Sequence, residues 1–451
     1  MKNRKKITCL LVTLLCCSLS GLIYSQKLKT LIADGDKAFT DNDFFSAAIY
    51  YNKALLQDSS DIVMQYKYAE ASRLNFDVDI ADHWYSKVYK TDPQGKRYTE
   101  CIFWLASLKK NKGKYKDARK LFDKYAKKNK RKKESYFVKK AIQEIASCDY
   151  AQLLVSNPNK QITIIHLDSS VNSKVSEYAP IQFDSILYFS SLRNQADRDK
   201  QHHVNYNKIY TSLQKNNSWE KSKELDSVVN REGIHNANTA FNKDYTQAFI
   251  SRCRQKNAQE FDCEIYSSEF KNGHWQTLIK LPETINKIGA TNTQPAVGLI
   301  NGEEVLFFSS NRNGGEGKMD IWYSKIKGRN DYAEPVNAGK KINSLEDEIT
   351  PYYHTATNEL YFSSTWHKGL GGFDIFKVAY VNNQPGDVQN LGVPVNTSYN
   401  DIYFSINNTG SAAFLSSNRL GSFFEEKERA IVVLSFPARR AQQGRLRSSI
   451  T

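Results

Sequence analysis

Three acidic residues stand where a sugar-cleaving pair would be sought. Glu177, Glu348 and Asp401 each fall near the start of a short apolar segment, and two carboxylates facing a sugar from opposite sides can act as acid and as base or nucleophile. The same residue types recur in register, however, as structural positions in repeats do, so strand-start caps are the expected role. Arg193, Arg252, Arg312 and Arg419 recur after a Ser-containing strand, with Trp366 near the remaining place. Such a set is a candidate ligand or partner surface for an anion or a peptide carboxylate. Local pairing of Arg312 with Asp320 and of Arg252 with Glu264 is the structural alternative. Gly314, Gly315, Gly317, Gly369, Gly371 and Gly372 suggest a phosphate cradle, but no helix follows them, and tight turns at positive φ are expected instead.

Other chemistry is sparse. The chain has no G-x-S-x-G elbow, no H-E-x-x-H and no closely spaced Cys/His set. His202 and His203 are adjacent in a polar insert and read as solvated. Cys101 and Cys148 sit in apolar helical patterns as core thiols, whereas Cys253 and Cys263 flank a hairpin loop and form a candidate disulfide. No catalytic residue, cofactor or metal is assigned, and the expectation is a chain that is not an enzyme.

The elements that hold these residues begin after a leader. Lys2, Arg4, Lys5 and Lys6 precede an apolar run from Ile7 to Ile23, which predicts a secretory signal peptide over residues 1–25. Cys16 and Cys17 raise a lipoprotein alternative, but Leu15 and Cys16 occupy the place where a lipobox needs a small residue. The leader holds four of the 63 basic and none of the 48 acidic residues, so the mature charge is +11 instead of +15. In an exported chain that charge points away from nucleic acid and toward acidic glycan, lipid head groups or an acidic protein. The run Lys127, Lys128, Lys130, Arg131, Lys132 and Lys133 reads as a solvated helix end. No later stretch is apolar enough to span a bilayer, so membrane contact is expected only through partners.

Residues 27–152 show helical period. Ala47, Tyr51 and Ala54 match Ala81, Tyr85 and Val88, then Ala118, Phe122 and Tyr125, at offsets of 34 and 37 residues. A small residue lets two helices approach, and the aromatic one turn later fills the groove between them. The period is that of tetratricopeptide repeats, with Glu134 to Leu153 as a capping helix.

From 160 to 437 the pattern turns to alternating strands. An apolar residue followed by Asn recurs at Asn172, Asn230, Asn286, Asn343 and Asn396, spaced by 58, 56, 57 and 53 residues. An aromatic-Ser-Ser strand and then an Ile-containing strand keep the same phase, while Trp219, Trp275 and Tyr332 mark a further strand. Four strands per unit at this period predict a β-propeller. The last repeat stops after three strands, and Ile162 to Leu167 looks like the missing fourth. Closure therefore gives five blades, with six as the alternative if the insert Asn194 to Asn207 conceals strands. The fold class is α + β multidomain, a tetratricopeptide-like array followed by an all-β propeller and a basic tail, 438–451, expected to be disordered.

The segments "LFFSSNRNGGEGKMDIWYS", "LYFSSTWHKGLGGFDIFKV" and "FLSSNR" resemble the WD-like repeats of TolB-type propellers. With the leader and helical repeats, the order is similar to PorE-type proteins of the Bacteroidota type IX secretion and gliding machinery. That resemblance implies a periplasmic, outer-membrane-associated scaffold whose partners are envelope or secretion-machinery proteins. The family's OmpA-like peptidoglycan-binding domain has no counterpart before Thr451, so that function is not carried over. A glycan- or peptide-binding propeller mouth is the alternative, and a five-bladed glycosidase the weaker one.

Overall fold

The computed structural model describes residues 27–193, 206–256, 260–381, 384–421 and 430–435. The signal peptide, His202, His203, the insert up to residue 205 and the 438–451 tail lie outside the described residues. Two compact units form, one running to Ile145 together with Lys256–Glu260, the other comprising the remainder from Ala146.

Among the described residues the first unit is helical: α1 (27–40), α2 (Phe44–Leu55), α3 (Ile62–Leu74), α4 (Val78–Thr91), α5 (Thr99–Asn111), α6 (Tyr115–Lys128) and the first half of α7 (Tyr136–Ser156). Asp43 caps α2 by accepting from the Ser46 N–H at 3.0 Å, and Asp61 caps α3 through Val63 N at 2.7 Å, each answering a donor the helix cannot satisfy itself. The three periodic trios lie on α2, α4 and α6 and are buried throughout. Gly35 makes the close approach possible, since a Cβ there would stand 2.6 Å from the Tyr51 ring. Between α5 and α7, Glu144 receives Lys110 Nζ at 2.6 Å and Lys140 Nζ at 3.0 Å, an ion triad with little solvent access. The Lys130–Lys132 turn, by contrast, buries none of its residues. None of the described helices is long and apolar enough to cross a membrane.

The division falls within α7, ahead of the expected boundary at 152. Its last turns belong with the second unit: Leu154 lies against Gly392, and the Asn159 N–H donates to Val393 O at 2.8 Å.

The second unit is a propeller of five four-layered antiparallel blades. Their innermost strands are Glu177–Phe183, His235–Phe241, Asn292–Ile300, Glu348–His354 and Asp401–Ile406. The outermost layer of blades one to four is broken into two short pieces, one of which carries Trp219, Trp275 or Tyr332 in the first three. In blade five that layer is Thr163–His166, which pairs with Ala430–Ser435 from Thr163↔Ser435 to His166↔Val432. The first and last strands of the propeller thus share one sheet, so the ring closes at five.

The recurrent Asn explains why the repeat is so regular. In every blade its side chain copies a backbone pairing: Oδ1 accepts from, and Nδ2 donates to, one Ile of the third strand. The partners are Ile431, Ile209, Ile265, Ile321 and Ile375 for Asn172, Asn230, Asn286, Asn343 and Asn396. The loop that leaves one blade is thereby fixed to its third strand, and in blade five the same bond reaches 259 positions along the chain.

Candidate axial ligand site

The five innermost strands share one irregularity. Each carries a β-bulge, and within it a residue at positive φ: Ala179 (54°), Asn238 (57°), Gln294 (54°), Thr350 (54°) and Tyr403 (56°). Such φ values are uncommon for residues with a Cβ, and their recurrence at one register marks a designed feature. Pro180, Pro295 and Pro351 follow three of them, where an innermost strand has no further neighbour needing an N–H.

A cavity of about 350 Å³ begins at this ring and extends to the C-terminal ends of the same strands. In every blade the first residue lining it is the positive-φ residue, so the ring is its floor. Its size falls at the lower end of the range for small-molecule sites. The walls combine aromatic side chains (Phe183, Phe241, Tyr352, Tyr403) with amides and hydroxyls (Gln182, Thr239, Gln294, Thr350). Among the lining residues the charged groups are Lys243 and Glu304, and His354 adds an imidazole. Burial holds the His354 imidazole below its ordinary pKa, which keeps that ring neutral.

Hydrogen bonds knit part of the floor. Gln294 Nε2 donates to Tyr403 Oη at 3.2 Å, and Gln294 Oε1 accepts from the Thr350 N–H at 3.0 Å. Thr350 Oγ1 is 2.8 Å from Ser363 Oγ, and the Tyr178 and Tyr403 rings are 5.5 Å apart.

Glu177, Glu348 and Asp401 do not line the cavity. They stand two residues before the ring, fully buried, and each accepts from the Ser or Thr that follows the recurrent Asn and from the second Ser of the neighbouring strand. Asn236 and Asn292 take this place in blades two and three. The candidate arginine surface is also corrected. Arg193, Arg312 and Arg419 turn into their own blades, donating to Val171 O, Ile285 O and Val395 O and to Glu177, Asn292 and Asp401. Arg252 does the same with Val229 O and Asn236, from a different register: it replaces the second Ser of its strand instead of following it. In blade four the reach is made by His367, whose Nε2–H donates to Ile342 O at 2.8 Å, while Trp366 bonds Ser364 through its backbone N–H. The expected pairs Arg312–Asp320 and Arg252–Glu264 give way to these bonds.

The glycine loops differ from expectation as well. Of the six glycines only Gly314 has positive φ. The others allow close approach: a Cβ on Gly315 would meet Asp320 Oδ2 at 2.3 Å, and one on Gly369 would meet Asp374 Oδ2 at 2.0 Å. Backbone N–H groups of Glu316, Gly317, Leu370 and Gly371 surround these two carboxylates, so the cradle holds the protein's own acid. Cys253 and Cys263 lie opposite each other on adjacent strands and are joined as a disulfide, while Cys101 and Cys148 are buried free thiols.

Lacking an arginine, Glu348 is held by hydroxyl and backbone donors alone, and burial pushes its carboxyl up to about 7. An acid raised above its unfolded value is protonated preferentially in the folded chain, so its contribution to stability is lost as pH rises from about 4.5 to about 7. We expect Glu348→Gln, which imitates the amides of blades two and three, to flatten the response. Urea unfolding at pH 5 and pH 8 should show the variant gaining roughly 2 kcal/mol on the parent between the two. Parallel profiles would contradict this.

The sequence signal for the ring was weak. Its five positions hold five different residue types, and only the acid or amide two residues before and the Pro after in three blades are periodic. A ring defined by backbone conformation leaves little trace in side-chain identity.

No protein-family model matches the chain, and no curated protein matches it significantly. Solved structures are similar to parts of it. An α-L-arabinofuranosidase from Lactobacillus brevis is 11% identical over 60% of this chain and 93% of its own, with a TM-score of 0.41. Zg3597, a family 117 glycoside hydrolase from Zobellia galactanivorans, is 9% identical over 61% and 90%, with a TM-score of 0.40. The TPR2B domain of yeast Sti1 is 16% identical over 28% and 98%, with a TM-score of 0.24. Glycoside hydrolases thus stand among the similar structures, and the expectation that this chain is not an enzyme is corrected accordingly: the fold gives it no support.

Proposed function

We propose that the propeller is a carbohydrate-binding module whose axial cavity takes a neutral sugar chain. The supporting observation is the composition of that cavity: five strands bring aromatic side chains, amides and hydroxyls together around about 350 Å³, with its charged groups confined to Lys243 and Glu304. Sugars match such a wall, since their C–H faces pack on rings while their hydroxyls exchange bonds with amides. A peptide recognised by strand addition needs a regular run of free N–H and C=O groups, and the five bulges break that run on every innermost strand.

Around this module, the resemblance to PorE-type proteins supports an exported, periplasmic protein near the outer membrane. The tetratricopeptide-like array is then the surface for an envelope or secretion-machinery partner, and the propeller holds glycan. Calorimetric titration of the full chain with cello-, xylo-, laminari- and manno-oligosaccharides tests the reading. We expect saturable binding of at least one, weakened at least tenfold by Tyr403→Ala at unchanged melting temperature. Saturable binding of unstructured peptides with none of sugars would replace it by the peptide reading.

A further inference from the structure

The floor of the cavity is satisfied on one side and unanswered on the other. Across blades three, four and five, Gln294, Thr350 and Tyr403 bond to one another, and the Tyr403 N–H adds a contact to Thr350 Oγ1 at 3.4 Å. Blades one and two contribute Ala179 and Asn238. Ala179 brings only a methyl group. Asn238, 8% exposed, donates from Nδ2 to Thr293 Oγ1 at 3.4 Å, and its Oδ1 is buried with no donor.

The orientation of that amide follows from its neighbours. Thr293 donates its hydroxyl to Ser251 Oγ at 3.2 Å and is therefore an acceptor toward Asn238, which assigns Nδ2 to that side and leaves the oxygen unpaired. A buried acceptor without a donor is costly, and a floor that pairs three of its five members has no structural reason to leave it so.

Resting on the reading of the cavity as a sugar site, we propose that Ala179 and Asn238 form its terminal subsite. One end of the sugar chain stands on the Ala179 methyl, and the Asn238 side chain turns its enclosed Oδ1 out to the cavity to accept from one of the sugar's hydroxyls. Ala179 is then a specificity-determining position: the absence of a larger side chain is what leaves room. The other four blades carry Asn, Gln, Thr and Tyr at the same φ, so the backbone accepts larger residues here.

The test uses the full chain and the oligosaccharide bound most tightly in the titrations above. Ala179→Gln should lower affinity at least tenfold without changing the melting temperature. Asn238→Ala should lower it about fivefold, and deoxygenating the terminal sugar at the engaged hydroxyl should cost the parent about fivefold but Asn238→Ala nothing further. If Ala179→Gln binds like the parent while Tyr403→Ala does not, the subsite is refuted and the cavity reading stands. If no oligosaccharide binds the parent, both fall together.

Discussion

Replacing Glu144 with alanine is expected to destabilise the helical unit by about 3–5 kcal/mol, the cost of stranding buried charge. Glu144 accepts from Lys110 on α5 and Lys140 on α7, and all three side chains are at most 10% exposed. Burial alone would raise the Glu144 carboxyl, but the two ammonium groups outweigh it and hold it below its ordinary value. The stability it confers is therefore present above the unfolded pKa of about 4.5 and is lost as pH falls through the depressed folded value. Helix ellipticity followed through urea unfolding of the full chain at pH 7 measures the effect. Adding Lys110→Met to the alanine variant should recover part of the loss by removing one uncompensated ammonium. A single-variant loss below 1 kcal/mol would show that the triad is hydrated.

The second large effect concerns ring closure. Asn172→Leu removes three buried hydrogen bonds, to Leu167 O at 2.7 Å, to Ile431 O at 3.0 Å and from Ile431 N at 2.9 Å. Leaving the Ile431 N–H unpaired costs about 1–3 kcal/mol, while the Ile431 carbonyl keeps the Leu167 N–H at 3.2 Å. Asn286→Leu should cost a similar amount, because its bonds to Ile265 and Leu281 are equivalent. The two differ in where the damage appears. Only Asn172 fastens segments from the two ends of the propeller, so its loss should speed amide exchange in Thr163–His166 and Ala430–Ser435 about a hundredfold, with blades two to four unchanged. In Asn286→Leu those two segments should exchange as in the parent. Equal exchange in both variants would mean that the blade-five pairing is secured by other contacts.

Both elements were largely visible in the residues themselves. The Asn positions could be read because one side chain performs one task at every blade: a bidentate amide bond to a third-strand Ile admits no close substitute. The helical trios were legible for a similar reason, since a buried small residue and a ring are needed wherever two helices meet. Arg252 was misplaced in register because its reach, and not its position, is conserved among the blades; a guanidinium two residues earlier arrives at the same carbonyl. The glycines were assigned to positive φ when five of the six serve close approach, Gly315 to Asp320, Gly369 to Asp374, and Gly317, Gly371 and Gly372 to Ser344, Tyr399 and Asn400 of the following loops. The floor of the cavity was hidden most deeply, for its common property is a backbone angle shared by Ala, Asn, Gln, Thr and Tyr.

This difference between scaffold and site has a physical basis. Structural positions repeat because all five blades face the same packing problem, while a ligand held on the axis sees five blades at once and needs them unlike. The identities of Ala179, Asn238, Gln294, Thr350 and Tyr403 diverge where the backbone around them is most alike.

A crystal structure of the full chain grown with the tightest-binding neutral oligosaccharide tests the central claim most directly. We expect the sugar in the axial cavity, its end on Ala179 and a hydroxyl within hydrogen-bond distance of Asn238 Oδ1. A sugar seated on the outer faces of the blades or on the helical unit, with the cavity free of it, would contradict the account.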